Sequence, residues 1–186
     1  MSERNAREFP RSDALVTEIQ EEFPTFRIVA KQQSRLQRAI DRALKMLTLG
    51  GQDKYMSHYH TVLWGTLWVP TSWKESSDEA RYVLLRHERV HLQQRRRYGD
   101  VLMTFLYLLP FFPLGLAYGR ARIEWEAYEE TIRATYEVYG EAAARALEDE
   151  IVQRFVGPDY GWMWPFPRSV RRWFASAMAR VVASAA

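Results

Sequence analysis

Residues 84–94 read Leu-Leu-Arg-His-Glu-Arg-Val-His-Leu-Gln-Gln, with two histidines four apart and a glutamate directly after the first. This arrangement constrains the fold more than any other stretch. On an α-helix, a spacing of four puts His87 and His91 on one face, about one turn apart. Both imidazoles can then reach one ion at roughly 2.0–2.1 Å. The flanks are helical: Ser76 and Glu79 have the form of a capping box, and Gly99 is a stop signal. Arg86, Arg89, Gln93, Arg96 and Arg97 are expected on the solvent side, with Leu84, His87, Glu88, His91 and Leu92 turned away from it. Burying a glutamate and two imidazoles is costly unless each is matched. A divalent cation matches all three. The fold therefore has to bring a further donor to that face.

The chain has no cysteine and only two other histidines, His58 and His60. Residues two apart on a strand share a face, so this pair is an alternative source of a ligand, although packed or surface histidines are the commoner case. A carboxylate is the better candidate. In Arg-Ile-Glu-Trp-Glu-Ala-Tyr-Glu-Glu-Thr (residues 122–131), helical periodicity puts Glu124 in line with Ala127, Tyr128, Thr131, Ala134, Thr135 and Val138. Glu126, Glu129, Glu130, Arg133 and Glu137 fall on a charged, solvent-facing side. Glu124 is thus the one glutamate expected to be buried, completing a His₂Glu set of the kind zinc takes. The competing reading pairs it with Arg120 in a partly buried ion pair.

Between the histidines and Glu124 runs an uncharged stretch, residues 101–119, long enough to suggest a membrane span. A single crossing would leave Glu124 and the histidines on opposite sides of a bilayer, and Pro110 with Pro113 breaks the helix midway. Two options remain: a buried helical hairpin, which is the preferred expectation, or an interfacial hairpin touching lipid. The C-terminal helix carries Val170, Trp173, Phe174, Met178 and Val181 on one side. That stripe is a second place for peripheral membrane contact, or else a docking face for the core.

The 186 residues, 47% hydrophobic and 14% aromatic, are enough for one domain over residues 1–186. A helix is expected from Ser12 to Glu22, a strand from Phe26 to Lys31, and a helix over 34–47 ended by Gly50 and Gly51. A β-rich stretch follows from Tyr55 to Val69, with Gly65 as a bulge. Further helices are expected at 120–138, at 141–155 and from Arg168 onward. The class is α+β, mostly helical, with a small antiparallel sheet next to the motif helix. The strand from Thr61 to Val69 is either an edge that could hold an extended peptide or, equally, an interior strand. A net charge of +3 with scattered basic residues argues against a nucleic-acid partner, and Arg95–Arg97 suit a helix C-terminus. Absence of cysteine and an N-terminus without an apolar core suggest a cytoplasmic protein, with membrane association as the second option. Oligomeric state is not legible.

The motif His87-Glu88-Arg-Val-His91, followed by Glu124-Trp-Glu-Ala127-Tyr128, resembles the gluzincin metallopeptidases. The likeness is greatest to the branch containing the CAAX prenyl proteases, whose second motif is E-x-x-A-D. It is also similar to small bacterial zincin-like proteins, and it covers the two motif helices, well under half of the chain. The resemblance implies a zincin-like fold and a Zn²⁺ site of His87, His91 and Glu124. It also implies Glu88 as general base and a peptide or protein substrate. The pattern's aspartate is Tyr128 here. Tyr128, or Tyr160 in the aromatic loop, is a candidate donor to a developing oxyanion. Two other readings stand beside this one: a zinc-binding module without turnover, and a peripheral membrane module whose motif match is accidental.

Overall fold

The computed structural model describes residues 8–34, 38, 42, 60–63, 65–108, 117–157 and 163–185. Packing concentrates in two units, Met1–Leu85 and Arg86–Ala186. Each is taken in turn.

The first unit opens with α1, Pro10–Glu22, which has Pro10 in the first turn and buries Ser12, Leu15 and Ile19. Proline suits that position because its missing N–H has no partner there in any case. The sequence places the cap at Ser12, but Ser12 lies inside the helix. The cap comes from far along the chain: the Arg11 and Ser12 backbone N–H groups donate to the Asp78 carboxylate at 2.9 and 2.8 Å. Burial pushes the Asp78 carboxyl up, but the hydrogen bonds from Ser12 and Arg11, with the Arg11 charge, outweigh it and hold the pKa below the usual carboxylate value. A depressed carboxyl contributes stability above its unfolded-state pKa and loses it as pH falls through the folded one. Asp78→Ala is therefore expected to cost about 1 kcal/mol near neutral pH, the size of a lost cap in a partly solvated site. Urea unfolding should show the gap between wild type and variant closing below about pH 4. An equal gap at both pH values would sink this account.

Three strands form the sheet: β1 (Arg27–Ala30), β2 (Thr61–Leu63) and β3 (Thr66–Val69), in the order β1-β3-β2. The expected antiparallel sheet needs correcting. β2 and β3 pair antiparallel, but β1 and β3 pair parallel, Arg27 opposite Thr66 and Ala30 opposite Val69. The physical reason is connection length. A two-residue turn can only reverse the chain, whereas the long segment between Ala30 and Thr61 allows a crossover. Gly65 makes that turn at φ +75° rather than a bulge. A side chain there would also meet Thr25 Oγ1 at 3.0 Å. β3 is bonded on both sides and so offers no edge to an added peptide strand. The helix expected over 34–47 lies almost wholly outside the described residues.

Helix α2, Asp78–Tyr98, is continuous from the first unit into the second. Its cap is Ser77, whose Oγ accepts the Ala80 N–H at 3.2 Å, one residue later than Ser76. Gly99 ends it as expected, at φ +80°.

The second unit continues with α3 (Asp100–Leu108), α4 (Ala117–Tyr139), α5 (Glu141–Val156) and α6 (Pro167–Ala185). Helices α4, α5 and α6 pack on one another, and α3 packs on α4. Trp125, Tyr128 and Ile132 of α4, Ile151, Val152 and Phe155 of α5, Met163, and Val170, Phe174, Met178 and Val181 of α6 form one apolar core. The α6 stripe that suggested lipid contact is thus buried in protein. Gly119 lets α3 come close, since a Cβ there would stand 2.8 Å from Leu106 Cδ2. No described helix is long and apolar enough to cross a membrane. Pro110 and Pro113 lie outside the described residues.

Candidate metal centre

Within α2 the inward face is rotated slightly from the expected one. Leu85, Glu88, His91, Leu92 and Gln94 are buried, while Leu84 and His87 are half-buried. Arg86 is not on the solvent side. It lies between helices and pairs with Glu130 and with Glu137 Oε2, the latter at 2.9 Å, while Arg133 holds the other Glu130 oxygen at 2.7 Å. The α4 glutamates expected in solvent therefore clamp α4 to α2, and they do so one residue before His87. Glu129 is likewise engaged, taking Trp125 Nε1 and Arg180 at 2.6 Å each.

Glu124 is 3% exposed, as its place on the uncharged face predicts. One donor atom each from His87, His91 and Glu124 lie within 4.8 Å of one another, and among the described residues this is the one such group. His60 is outside it and packs edge-on against Trp73. His58 and Tyr160 lie outside the described residues.

Hydrogen bonding fixes which imidazole nitrogens point inward. Thr131 donates its only hydroxyl proton to the Ala127 carbonyl at 3.1 Å, so it can only accept from His87 Nδ1, 2.9 Å away. With the hydroxyl engaged that way, the Nδ1–H tautomer of His87 is the one that satisfies Thr131, and it turns the Nε2 lone pair inward. The amide of Gln94 is oriented just as firmly. Its Nε2 donates to the Ile123 carbonyl and to Glu126 Oε2, both at 2.9 Å, which turns Oε1 towards His91 Nδ1 at 2.9 Å. The tautomer of His91 that matches this acceptor is likewise the Nδ1–H one.

The two Nε2 atoms face each other at 3.2 Å, with Glu124 Oε2 3.9 Å from His91 Nε2. Three acceptors converging in a buried place repel unless a proton or cation lies among them. Ligands at about 2.0–2.1 Å in a tetrahedron stand roughly 3.3–3.4 Å apart. The nitrogens already have that separation, and the carboxylate has to close by about half an ångström towards His91 to reach it. With all three donor atoms within 4.8 Å of one another, the group could hold one metal ion once the carboxylate moves in.

Glu88, 7% exposed, follows His87 directly and is three residues before His91 on the same helix. Tyr128 stands edge-on to the His87 ring, centroids 5.1 Å apart, and its other side meets Phe155 at 5.6 Å. Sequence reasoning missed the positioning roles of Gln94, Thr131 and Glu126. The one usable signal was spacing: Gln94 is a helical turn past His91, and Thr131 is two turns past Glu124.

No known protein family, curated protein or solved structure matches the chain.

Proposed function

We propose that this chain is a zinc-dependent metallopeptidase with His87, His91 and Glu124 as ligands and Glu88 as general base. The observation that carries the proposal is the pair of Nε2 atoms 3.2 Å apart beside a buried carboxylate. Zinc held there by His87, His91 and Glu124 would supply Lewis acidity, lowering the pKa of water towards neutrality and polarising a peptide carbonyl. The Glu88 carboxylate accepts the proton that attack of water on the carbonyl releases, and returns it to the departing amine. Thr131 and Gln94 hold both imidazoles in the tautomer that presents Nε2. Burial of Glu88 and Glu124 keeps competing water from both carboxylates.

A second reading, a zinc-binding regulatory module without turnover, draws on Tyr128, whose ring abuts His87 where the resembled family has a carboxylate. The test is metal content with activity. Purified protein should hold about one zinc per chain, and cleavage of a peptide pool should stop on chelation and return with zinc. A single proton shared between the two Nε2 atoms also reconciles their geometry, and protein purified without bound metal, unable to take up added zinc, would favour it and end the proposal.

The Gln94 amide gives a finer check. Gln94→Leu is expected to weaken zinc binding about 10–100-fold, because His91 loses the acceptor that fixes its tautomer. Competition against a chromogenic chelator reads this directly. Unchanged affinity would remove Gln94 from any positioning role.

A further inference from the structure

The side of α3 that faces away from the protein carries Val101, Leu102 and Phe105 at 86, 46 and 58% exposure. Met103, between them in sequence, is buried. Single exposed apolar residues are ordinary, but three on one nine-residue helix make a patch that calls for a partner. Nearby on α4, Tyr118 is 46% exposed and its ring meets Trp164, which in turn meets Phe166, also 46% exposed.

Charge says what kind of partner. Residues 101–119 contain no Asp, Glu, Lys or Arg, yet Arg95, Arg96 and Arg97 precede the run and Arg120 and Arg122 follow it. The one acid between Arg95 and Arg122 is Asp100, which Arg95 holds at 2.8 Å. Arg96, Arg97 and Arg122 are exposed. Arg97 is four residues from Val101, within about 14 Å by chain reach. An apolar face flanked in sequence by exposed arginines complements a surface with anionic head groups above hydrocarbon, and aromatic residues favour that boundary. A second copy of the chain would bring like charges together around the same patch. The nine described residues of α3 are too few to span a bilayer, which leaves this face to lie on one.

We infer that this α3 face docks the protein on anionic lipid, inserting Val101, Leu102 and Phe105 among the acyl chains. Lipid binding needs no metal. On the peptidase reading, α2 and α4, which carry the candidate ligands, lead into and out of this stretch, so the substrates are polypeptide segments presented at a membrane surface.

Sedimentation of the full chain with vesicles tests this. Phosphatidylcholine vesicles containing phosphatidylglycerol should take up the protein roughly tenfold or more better than phosphatidylcholine alone, with binding falling as salt rises. Val101→Glu with Phe105→Glu should lose roughly tenfold or more, since both side chains are exposed and the fold, checked by circular dichroism, is retained. Arg96→Gln with Arg97→Gln should lose the lipid-charge preference, at about fivefold per arginine. Glu88→Gln and zinc-stripped protein should bind as wild type does, which keeps failure of the peptidase reading separate. Equal uptake by both vesicle types, or uptake unaffected by the glutamates, overturns the inference. So does a dimer in solution that Val101→Glu and Phe105→Glu dissolve, because a second copy then occupies the patch.

Discussion

Glu88→Gln should keep its zinc and lose roughly 10²–10⁴-fold in peptide cleavage, the usual worth of a positioned general base. The substitution leaves the shape of the side chain almost unchanged and exchanges an acceptor-only carboxylate for an amide that cannot take a proton. Because Glu88 is buried yet outside the ligand group, metal content and helix packing should survive. The comparison is single-turnover hydrolysis by zinc-loaded wild type and variant, with zinc measured in the same samples. Equal rates would take the base role away from Glu88, and loss of zinc in the variant would make it a ligand instead.

Removing a ligand acts earlier. His91→Ala is expected to lower zinc affinity by about a thousandfold or more, since a four-coordinate site losing one of three protein donors gives up a full metal–ligand bond. Glu124→Gln should lose less, because the amide oxygen keeps the shape and a weak donor while the charge goes. Dialysis against a zinc buffer ranks wild type, Glu124→Gln and His91→Ala in that order of retained metal. The two variants also differ in what they leave behind. His91→Ala frees Gln94 Oε1 of its partner, whereas Glu124→Gln leaves both tautomer-fixing hydrogen bonds in place. A ranking with Glu124→Gln equal to wild type would exclude the carboxylate from the site and end the three-ligand proposal.

The clustering of the three candidate ligands was readable because each part of the pattern has a local cause. Helical spacing alone puts His87 beside His91, and the uncharged row from Ala127 to Thr135 marks the buried face on which Glu124 sits. Gly99 as a stop was equally local. What escaped depends on partners far off in sequence. Arg86 looks solvent-facing on a helical wheel, and only the arrival of Glu130 and Glu137 from α4 makes it a clamp between the two helices. Gln94 has no motif value until the Ile123 carbonyl and Glu126 stand opposite. Gly65 fits a bulge or a two-residue turn equally well, because both use positive φ. Parallel pairing of β1 with β3 leaves no trace in either strand's residues. Nor could Ser12 reveal that its helix is capped by Asp78, sixty-six residues later.

The oxygens behind the imidazoles are a hydroxyl and an amide, Thr131 and Gln94. A carboxylate in either place would pull on the ring proton and make the opposite nitrogen a stronger electron donor. Neutral acceptors orient the rings without that push. An ion seated in the proposed centre then keeps more of its own positive charge, so the chain trades some grip on the metal for a harsher electrophile.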